Sequence, residues 1–213
     1  MISPETPRYP PGVSRETCER LDIHVRLLFE WQKAKNLVSP ASLDRVWTRH
    51  VCDSAQIVDL CPEALTWLDL GSGAGFPGLV TAALLAETPG AHVDLVEANS
   101  RKCAFLRAVI REAGLPAMVH SQRIESFRWR DENPVDAISA RALAPLEKLC
   151  SLVAPLMGPK TRAVFHKGQD FVSELENTTQ YWGFDLVEHK NRIDETGRIV
   201  ILSNLRKATK IGQ

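Results

Sequence analysis

The chain has 213 residues, of which 44% are hydrophobic and 24% are charged, proportions typical of one globular α/β domain. Lysine plus arginine and aspartate plus glutamate balance at 26 each, so net charge does not indicate nucleic-acid binding, which would need a local basic face. No apolar run approaches ~20 residues and no secretory leader opens the chain, which predicts a cytoplasmic protein with no membrane partner.

The first 60 residues are expected to form an extension and helices ahead of the main domain. Residues 1–13 contain four prolines and are expected to be disordered. Ser14 is a candidate N-cap for a helix that runs to about Lys35. A second helix begins at Ser39 or Ser42 and continues through Ile57. The sequence therefore predicts three regions: 1–13, 14–60 and 61–213.

Three polar residues of the second predicted helix fall within about one and a half turns. Arg49 and Asp53 have the i,i+4 spacing of a surface ion pair, and His50 lies between them. Such exposed pairs contribute only ~0.3–0.5 kcal/mol. From spacing alone, an ordinary surface pair beside a core histidine is the favoured interpretation.

The stretch Thr66–Gly78 predicts a buried strand, a glycine turn and a helix. The strand ends near Leu70, and Gly71, Gly73 and Gly75 follow at alternate positions, where they permit positive φ and close backbone approach. Pro77 suits the first turn of a helix. This arrangement holds nucleotide-like ligands above the carboxyl end of a sheet.

The glycine turn matches two ligand templates. Residues 73–78 satisfy G-x-G-x-x-G, the dinucleotide pattern, with Glu97 near the expected ribose-binding position. Residues 69–75 equally satisfy the D-x-G-x-G-x-G pattern of S-adenosylmethionine (SAM) sites. A pyrophosphate favours bare amides at a helix N-terminus, whereas a sulfonium cation favours a carboxylate such as Asp69.

The later strands favour the second template. Further strands are predicted at 92–97, 117–120, 135–139 and 162–166, separated by helices, with the last helix at about 170–182. Two extended stretches, 184–190 and 198–202, follow without a helix between them and should pair antiparallel. This order predicts a class I SAM-dependent methyltransferase fold, a Rossmann-like seven-stranded sheet with its last strand antiparallel, preceded by helices. A doubly wound dehydrogenase would need a substrate domain for which the chain has no room.

Residues at the strand ends are the candidate ligand contacts. Glu97 could accept hydrogen bonds from both ribose hydroxyls. Ile124 and Glu125, after the third strand, are placed for the adenine edge. Phe76 could pack on the methionyl or adenine portion of the ligand.

Motif absences narrow the reaction. The fourth strand is not followed by D/N-P-P-Y/F, the motif of exocyclic-amine methylation, and it lacks the Pro-Cys pair of cysteine attack on pyrimidines. The five cysteines also lack metal-site spacing, so no metal is expected. At the end of the fourth strand the chain has Arg141, and no neighbouring side chain there could act as a general base. Guanine N7 suits such a site because its lone pair is free and transfer needs mainly alignment and charge stabilisation.

Taken together, these motifs resemble the RsmG family, also called glucose-inhibited division protein B, over nearly the whole chain after Ser14. The G-x-G-x-G-Φ-P-G loop (Φ, an apolar residue), coupled to R-H-x-x-D-S upstream, is specific to it. The matching positions are Asn36-Leu37, Arg49-His50, Asp53-Ser54, Asp69–Gly78, Glu97, Phe105-Leu106, Arg141-Ala142, Lys167-Gly168 and Arg198.

The resemblance implies SAM-dependent methylation of N7 of a guanine in 16S rRNA, in small-subunit particles, by a monomeric cytoplasmic enzyme. It makes residues 14–60 a lid on the substrate side and Arg141 the residue that positions the substrate by binding guanine O6 or a phosphate, with no general base. The implied SAM contacts are Gly71, Phe76, Ile124, Glu125 and Arg141, to which the glycine pattern and the strand ends add Asp69, Gly73, Gly75 and Glu97. The implied RNA contacts are Asn36, Arg49, His50, Arg101, Lys102, Arg123, Lys167 and Arg198.

Two alternatives remain open at the level of the sequence. The first is a SAM-dependent enzyme with a small-molecule substrate, which the neutral net charge slightly favours. The second is a non-catalytic nucleotide-binding module that uses the G-x-G-x-x-G pattern for NAD.

Overall fold

The computed structural model describes residues 8–33, 37–129 and 134–208, and its centre is one seven-stranded sheet. The strands are β1 (Thr66–Leu70), β2 (His92–Glu97), β3 (Ala117–Ser121), β4 (Ala137–Arg141), β5 (Arg162–Lys167), β6 (Trp182–Lys190) and β7 (Arg198–Lys207). Their spatial order is β3-β2-β1-β4-β5-β7-β6. β1 to β5 are parallel, and β7 runs antiparallel to both of its neighbours. This topology confirms the predicted methyltransferase fold.

The helices cover both faces of the sheet. They are α1 (Arg15–Gln32), α2 (Pro40–Leu43), α3 (Asp53–Leu60), α4 (Gly78–Leu85), α5 (Ser100–Ala113), α6 (Leu146–Val153) and α7 (Phe171–Thr179). Side chains alternate along each strand, so Trp67 of β1 packs with α1, α4 and α5 on one face. Its neighbours Leu68 and Leu70 pack with α6 on the other. The central strands are apolar on both sides because both faces are covered.

The first predicted helix has the expected start and a slightly shorter length. The Ser14 side chain accepts a hydrogen bond from the Thr17 N–H at 3.0 Å, which confirms the N-cap. The expected end, Lys35, lies outside the described residues, and α1 itself ends at Gln32.

The second predicted helix is divided into α2, a π-helical segment (Trp47–Cys52) and α3. Val46 and Val51 are both buried, and their five-residue spacing suits a wider turn with i→i+5 hydrogen bonds. The Asp53 N–H accordingly donates to the Thr48 carbonyl. Single π turns occur often at functional sites, and this one contains Arg49 and His50.

The predicted end of the last helix is wrong by three residues. α7 ends at Thr179, and Trp182 instead begins β6, where its side chain is buried in the same hydrophobic cluster as Phe171. Burial of this aromatic residue on the sheet outweighs the helical pattern. β7 is also longer than predicted and extends to Lys207.

Within the residues that the structure describes, no helix combines the length and apolar character needed to cross a membrane.

Gly78 is the residue at which α4 packs most closely on the sheet. A Cβ at this position would lie 2.3 Å from Leu95 Cδ2 and 2.8 Å from Asp69 Cβ. Both atoms belong to buried residues of the central strands, so neither can move aside easily. The glycine therefore sets the distance between α4 and β1–β2.

We expect Gly78→Ala to lower the free energy of unfolding by about 1–3 kcal/mol, because the added methyl group overpacks this contact. The measurement is the midpoint of urea unfolding. Gly168→Ala is the matched control, since a Cβ there has nothing within 4 Å, and its effect should stay within about 0.5 kcal/mol. Equal losses in the two variants would contradict the close-packing argument.

Candidate active site

The candidate site lies above the carboxyl ends of the parallel strands. β1 is flanked by β2 on one side and β4 on the other, so the strand order reverses direction between β1 and β4. Open α/β sheets bind ligands in the crevice that forms at such a point. The loops after β1, β2, β3 and β4 therefore form its walls.

The loop after β1 is held by backbone hydrogen bonds to β2. The N–H groups of Gly71 and Ser72 both donate to the Val96 carbonyl, at 2.9 and 3.2 Å. Gly71, Gly73 and Gly75 have φ of 68°, 56° and 88°, the left-handed region that residues with a Cβ avoid. The predicted glycine turn is thus a rigid loop at the mouth of the crevice.

Asp69 lies beneath this loop and not in the crevice. Its side chain is fully buried at 0% exposure, and it accepts a hydrogen bond from Ser139 Oγ of β4 at 2.8 Å. Burial raises the pKa of the Asp69 carboxyl to about 6, while the Ser139 hydrogen bond opposes the rise. The structure gives Asp69 a role in joining β1 to β4, which differs from the expected contact with the cofactor.

Glu97 at the end of β2 faces the glycine loop. Its Oε2 accepts from the Gly73 N–H at 2.9 Å, and its Oε1 accepts from the Asn99 N–H at 2.8 Å. The Asn99 side chain in turn caps α5 by accepting from the Arg101 and Lys102 N–H groups. Each carboxylate oxygen retains a free lone pair, so Glu97 can still receive ribose hydroxyls.

Phe76 lies between two imidazole rings. It stacks on His24 of α1, with ring centroids 4.7 Å apart, and on His50 of the π segment, 4.9 Å apart. His24 Nε2 donates to the Ala74 carbonyl at 2.8 Å. Burial lowers the pKa of both histidines to about 4, so both rings are neutral near pH 7.

His24 was not among the site residues predicted from the sequence. It follows Leu21 by three residues and precedes Val25, so it lies on the buried face of α1. A polar residue on an apolar helix face needs a hydrogen-bond partner. The spacing in the sequence could have predicted a buried, hydrogen-bonded histidine, but it could not have identified the Ala74 carbonyl as the partner.

Arg141 at the end of β4 is held by three acceptors. Its Nη1 donates to Asp53 Oδ2 and to the Arg49 carbonyl, each at 3.0 Å, and its Nη2 contacts His50 Nδ1 at 2.5 Å. Only 15% of the Arg141 side chain and 13% of the Asp53 side chain are exposed. The guanidinium also lies 5.5 Å from the centre of the Phe76 ring. Burial lowers the pKa of Arg141, and Asp53 opposes this effect.

The predicted surface pair of Arg49 with Asp53 is therefore wrong. Asp53 pairs with Arg141, and the exposed Arg49 guanidinium lies 3.8 Å from Asp194 in the β6–β7 loop. Asp53 also accepts from Asn191 Nδ2 at 2.5 Å, and its carbonyl accepts from His166 Nε2 at 3.0 Å. The i,i+4 spacing could not reveal partners so distant in sequence.

Ala142 directly follows Arg141 and has a φ of 51°. This left-handed conformation is uncommon for a residue with a Cβ, and such strain concentrates at functional sites. The bend ends β4 at the point where Arg141 turns toward Asp53.

Two residues predicted to contact RNA, Lys167 and Arg198, are instead paired with acidic side chains of the protein. Lys167 is only 7% exposed, and its Nζ lies 2.5 Å from Glu174 Oε2 and donates to the Ala144 carbonyl. Arg198 pairs with Glu188 at 2.8 Å and lies over the Phe171 ring. Both cations are thus committed to neighbours within the fold, because burial of a charge requires such pairing.

The remaining candidates lie at the ends of β2 and β3. Ile124 and Glu125 form a 3-10 turn after β3, with Ile124 half-buried and Glu125 exposed. Arg123 and Arg101 are exposed, and Lys102 is half-buried in the first turn of α5. Asn36, the other predicted RNA contact, lies outside the described residues.

The crevice beside β1–β3 fits SAM. A Cβ on Gly73 would meet only the Gly71 carbonyl oxygen, 3.7 Å away, so the loop leaves open space on that side. Glu97 presents carboxylate oxygens at the end of β2, and the Ile124–Glu125 turn lies after the end of β3, the positions predicted for ribose and adenine contacts.

We expect the buried carboxyl of Asp69 to make stability fall as pH rises. Between pH 4 and 6 the folded protein keeps a proton that an unfolded aspartate has already released, because the pKa of Asp69 is raised from 3.8 to about 6. In Asp69→Asn this dependence is absent while the Ser139 hydrogen bond is retained. The unfolding free energy of the native chain minus that of the variant should fall by about 2–3 kcal/mol between pH 4 and 7.

Urea unfolding at a series of pH values measures this difference. His24 and His50 titrate in both proteins, so their opposite pH dependence cancels in the comparison. Parallel stability curves for the two proteins would contradict the raised pKa.

Comparisons with known proteins agree with this geometry. Residues 17–197 match the family model described as GidB, rRNA small subunit methyltransferase G. The chain is 47% identical over 199 residues to ribosomal RNA small subunit methyltransferase G of Brucella canis, covering 93% of each chain. It is 47% identical over 195 residues to the protein of the same name from Bradyrhizobium sp. strain ORS 278, covering 92% of this chain and 88% of that one. A SAM-dependent methyltransferase from Aquifex aeolicus shares the fold, with a TM-score of 0.58 and 16% identity over 80% of this chain and 96% of that chain. The chain therefore belongs to the rRNA small subunit methyltransferase G (GidB) family.

Proposed function

We propose that this enzyme methylates N7 of a guanine in 16S rRNA. Membership of the family establishes the coarser statement, that the chain is a SAM-dependent rRNA methyltransferase, and it resolves the choice between the NAD and SAM templates. The choice of N7 rests on the chemistry of the groups around the end of β4.

The observation that carries this choice is that the Asp53 carboxylate and His50 Nδ1, beside Arg141, already accept hydrogen bonds. The Asp53 carboxylate accepts from Arg141 and Asn191, and His50 Nδ1 accepts from Arg141. Among the residues described there, Asp53 is held in an ion pair, the His50 lone pair is occupied, and the unpaired Nδ1 of His166 is shielded from solvent. An exocyclic amine must lose a proton after methyl transfer, whereas N7 has no proton to lose.

SAM, when bound, supplies an electrophilic methyl group on a sulfonium centre. The residues of this chain orient the two reactants: the glycine loop and Glu97 on the β1–β3 side, and the Arg141 cluster on the β4 side. Alignment of this kind contributes a large part of the acceleration when the nucleophile is already deprotonated.

We further propose that the substrate is 16S rRNA within small-subunit particles, and that the protein acts as a monomer in the cytoplasm. Arg101, Arg123 and Arg49 are exposed around the crevice. Arg101 and Lys102 occupy the first turn of α5, where the helix dipole disfavours cations. Phosphate binding would provide a reason for placing positive charge at this helix end.

The direct experiment is methylation of unmodified small-subunit particles by the purified protein, followed by mass mapping of N7-methylguanine. We expect one modified guanine and a rate that falls steeply as salt rises from 50 to 200 mM, because phosphate contacts release counterions. A parallel reaction with NAD in place of SAM is the control. A methyl group on an exocyclic amine, or salt-independent turnover of a small molecule, would contradict the proposal.

We expect the methyl-transfer rate at saturating SAM to be flat between pH 7 and 9, because no group of the Arg141 cluster has to accept a proton. Single-turnover kinetics in this interval avoid the titration of Asp69 near pH 6. A rate that increases tenfold per pH unit toward the basic side would show that a base is required.

A further inference from the structure

The contact between Arg141 and His50 fixes the tautomer of the histidine. A guanidinium group has only N–H donors, so His50 Nδ1, 2.5 Å from Arg141 Nη2, must present its lone pair. The neutral ring therefore carries its hydrogen on Nε2.

This Nε2–H group has no partner. The nitrogen is shielded from solvent and makes no hydrogen bond, although the residue as a whole is only half-buried. His24 and His166 also have an unpaired ring nitrogen, but each donates to a carbonyl through the other nitrogen. Their unpaired atoms are thus acceptors, whereas His50 leaves a donor unpaired. Buried donors of this kind are rare and call for a functional explanation.

His50 lies with the Arg141 cluster at the β4–β5 end of the crevice. Its partner Arg141 ends β4, and Asp53 of the same cluster accepts from His166 of β5. β4 and β5 lie on the side of β1 opposite to β2 and β3. The cofactor residues Glu97 and Ile124–Glu125 are on that other side.

The charge of the cluster suits an acceptor next to a nucleophilic nitrogen. Methylation of N7 transfers positive charge to the guanine ring, so a cation at the adjacent O6 would oppose the reaction. The charge of Arg141 is instead balanced by Asp53. A neutral imidazole N–H can orient O6 without adding positive charge.

We propose that His50 Nε2–H donates a hydrogen bond to O6 of the guanine that is methylated, and that Arg141 is a positioning residue that holds His50 in this tautomer. This inference rests on the proposed function and deepens it. It replaces the expectation from the sequence that Arg141 itself binds O6 or a phosphate.

The test is a double-mutant cycle in which one change is made in the protein and the other in the substrate base. The measured quantity is kcat/KM for methyl transfer. The substrates are small-subunit particles with guanine or 2-aminopurine at the target position; 2-aminopurine keeps N7 and lacks O6. Loss of O6 should slow the native enzyme about 10- to 100-fold. His50→Phe, which keeps an aromatic ring against Phe76, should slow guanine transfer by a similar factor and discriminate little between the two bases.

Two further variants separate donor geometry from general damage. His50→Gln can place an amide N–H near the position of Nε2 and should recover part of the preference for guanine. Arg141→Ala should lose that preference as His50→Phe does, since the tautomer is no longer held. His189→Phe, a substitution on the edge strand β6, is the matched control and should leave both rates unchanged.

If the losses of kcat/KM from His50→Phe and from 2-aminopurine multiply independently, the inference is overturned. It is also overturned if calorimetry shows that His50→Phe lowers SAM affinity by the same factor as kcat/KM. Retained guanine preference in Arg141→Ala would overturn the positioning role. These outcomes are distinct from failure of the proposed function, in which the native enzyme would place no methyl group on N7 of the natural guanine.

Discussion

The ion pair between Asp53 and Arg141 is the constraint on which the candidate site depends. It joins the start of α3 to the end of β4 across the mouth of the crevice, with both side chains largely shielded from water. Desolvation makes such pairs costly, and removal of one partner typically destabilises a protein by about 3–5 kcal/mol. The pair therefore matters less as a source of net stability than as a device that allows one arrangement of Arg49, His50 and Arg141.

The same carboxylate connects the site to the C-terminal hairpin. Asn191 binds Asp53 through its amide nitrogen, while its amide oxygen accepts from the N–H groups of Ile193 and Asp194. The β6–β7 loop is thus folded around the residue that holds Asp53. Because the Arg49 guanidinium also approaches Asp194, this loop contacts both a residue within the π segment and Asp53 directly after it.

The sheet and the glycine loop could be predicted because their signals are local. Apolar strands, three glycines at alternate positions and a terminal pair of strands without an intervening helix indicate the methyltransferase fold. The loop conformation follows from residue types that alone tolerate its φ values. Strand and helix ends were less certain, as Trp182 illustrates, because its burial depends on residues far away in the chain.

The functional pairings could not be predicted, because they join residues that are distant in sequence. Asp53 and Arg141 are 88 positions apart, and spacing suggested Arg49 as the partner instead. Lys167 looked like a free cation until the structure placed Glu174 of α7 beside it. Sequence patterns identified the candidate residues at the carboxyl edge of the sheet, whereas the partners that hold Asp53, Arg141 and Lys167 in place required the coordinates.

The bond from His24 to the Ala74 carbonyl, with Phe76 stacked on the same ring, has a consequence for the architecture of the molecule. It anchors α1 directly to the glycine turn, so this helix cannot swing away without breaking its contacts with that turn. A shortened protein that lacks α1 would leave the Ala74 carbonyl and the Phe76 ring without these contacts, even with every strand of the sheet intact.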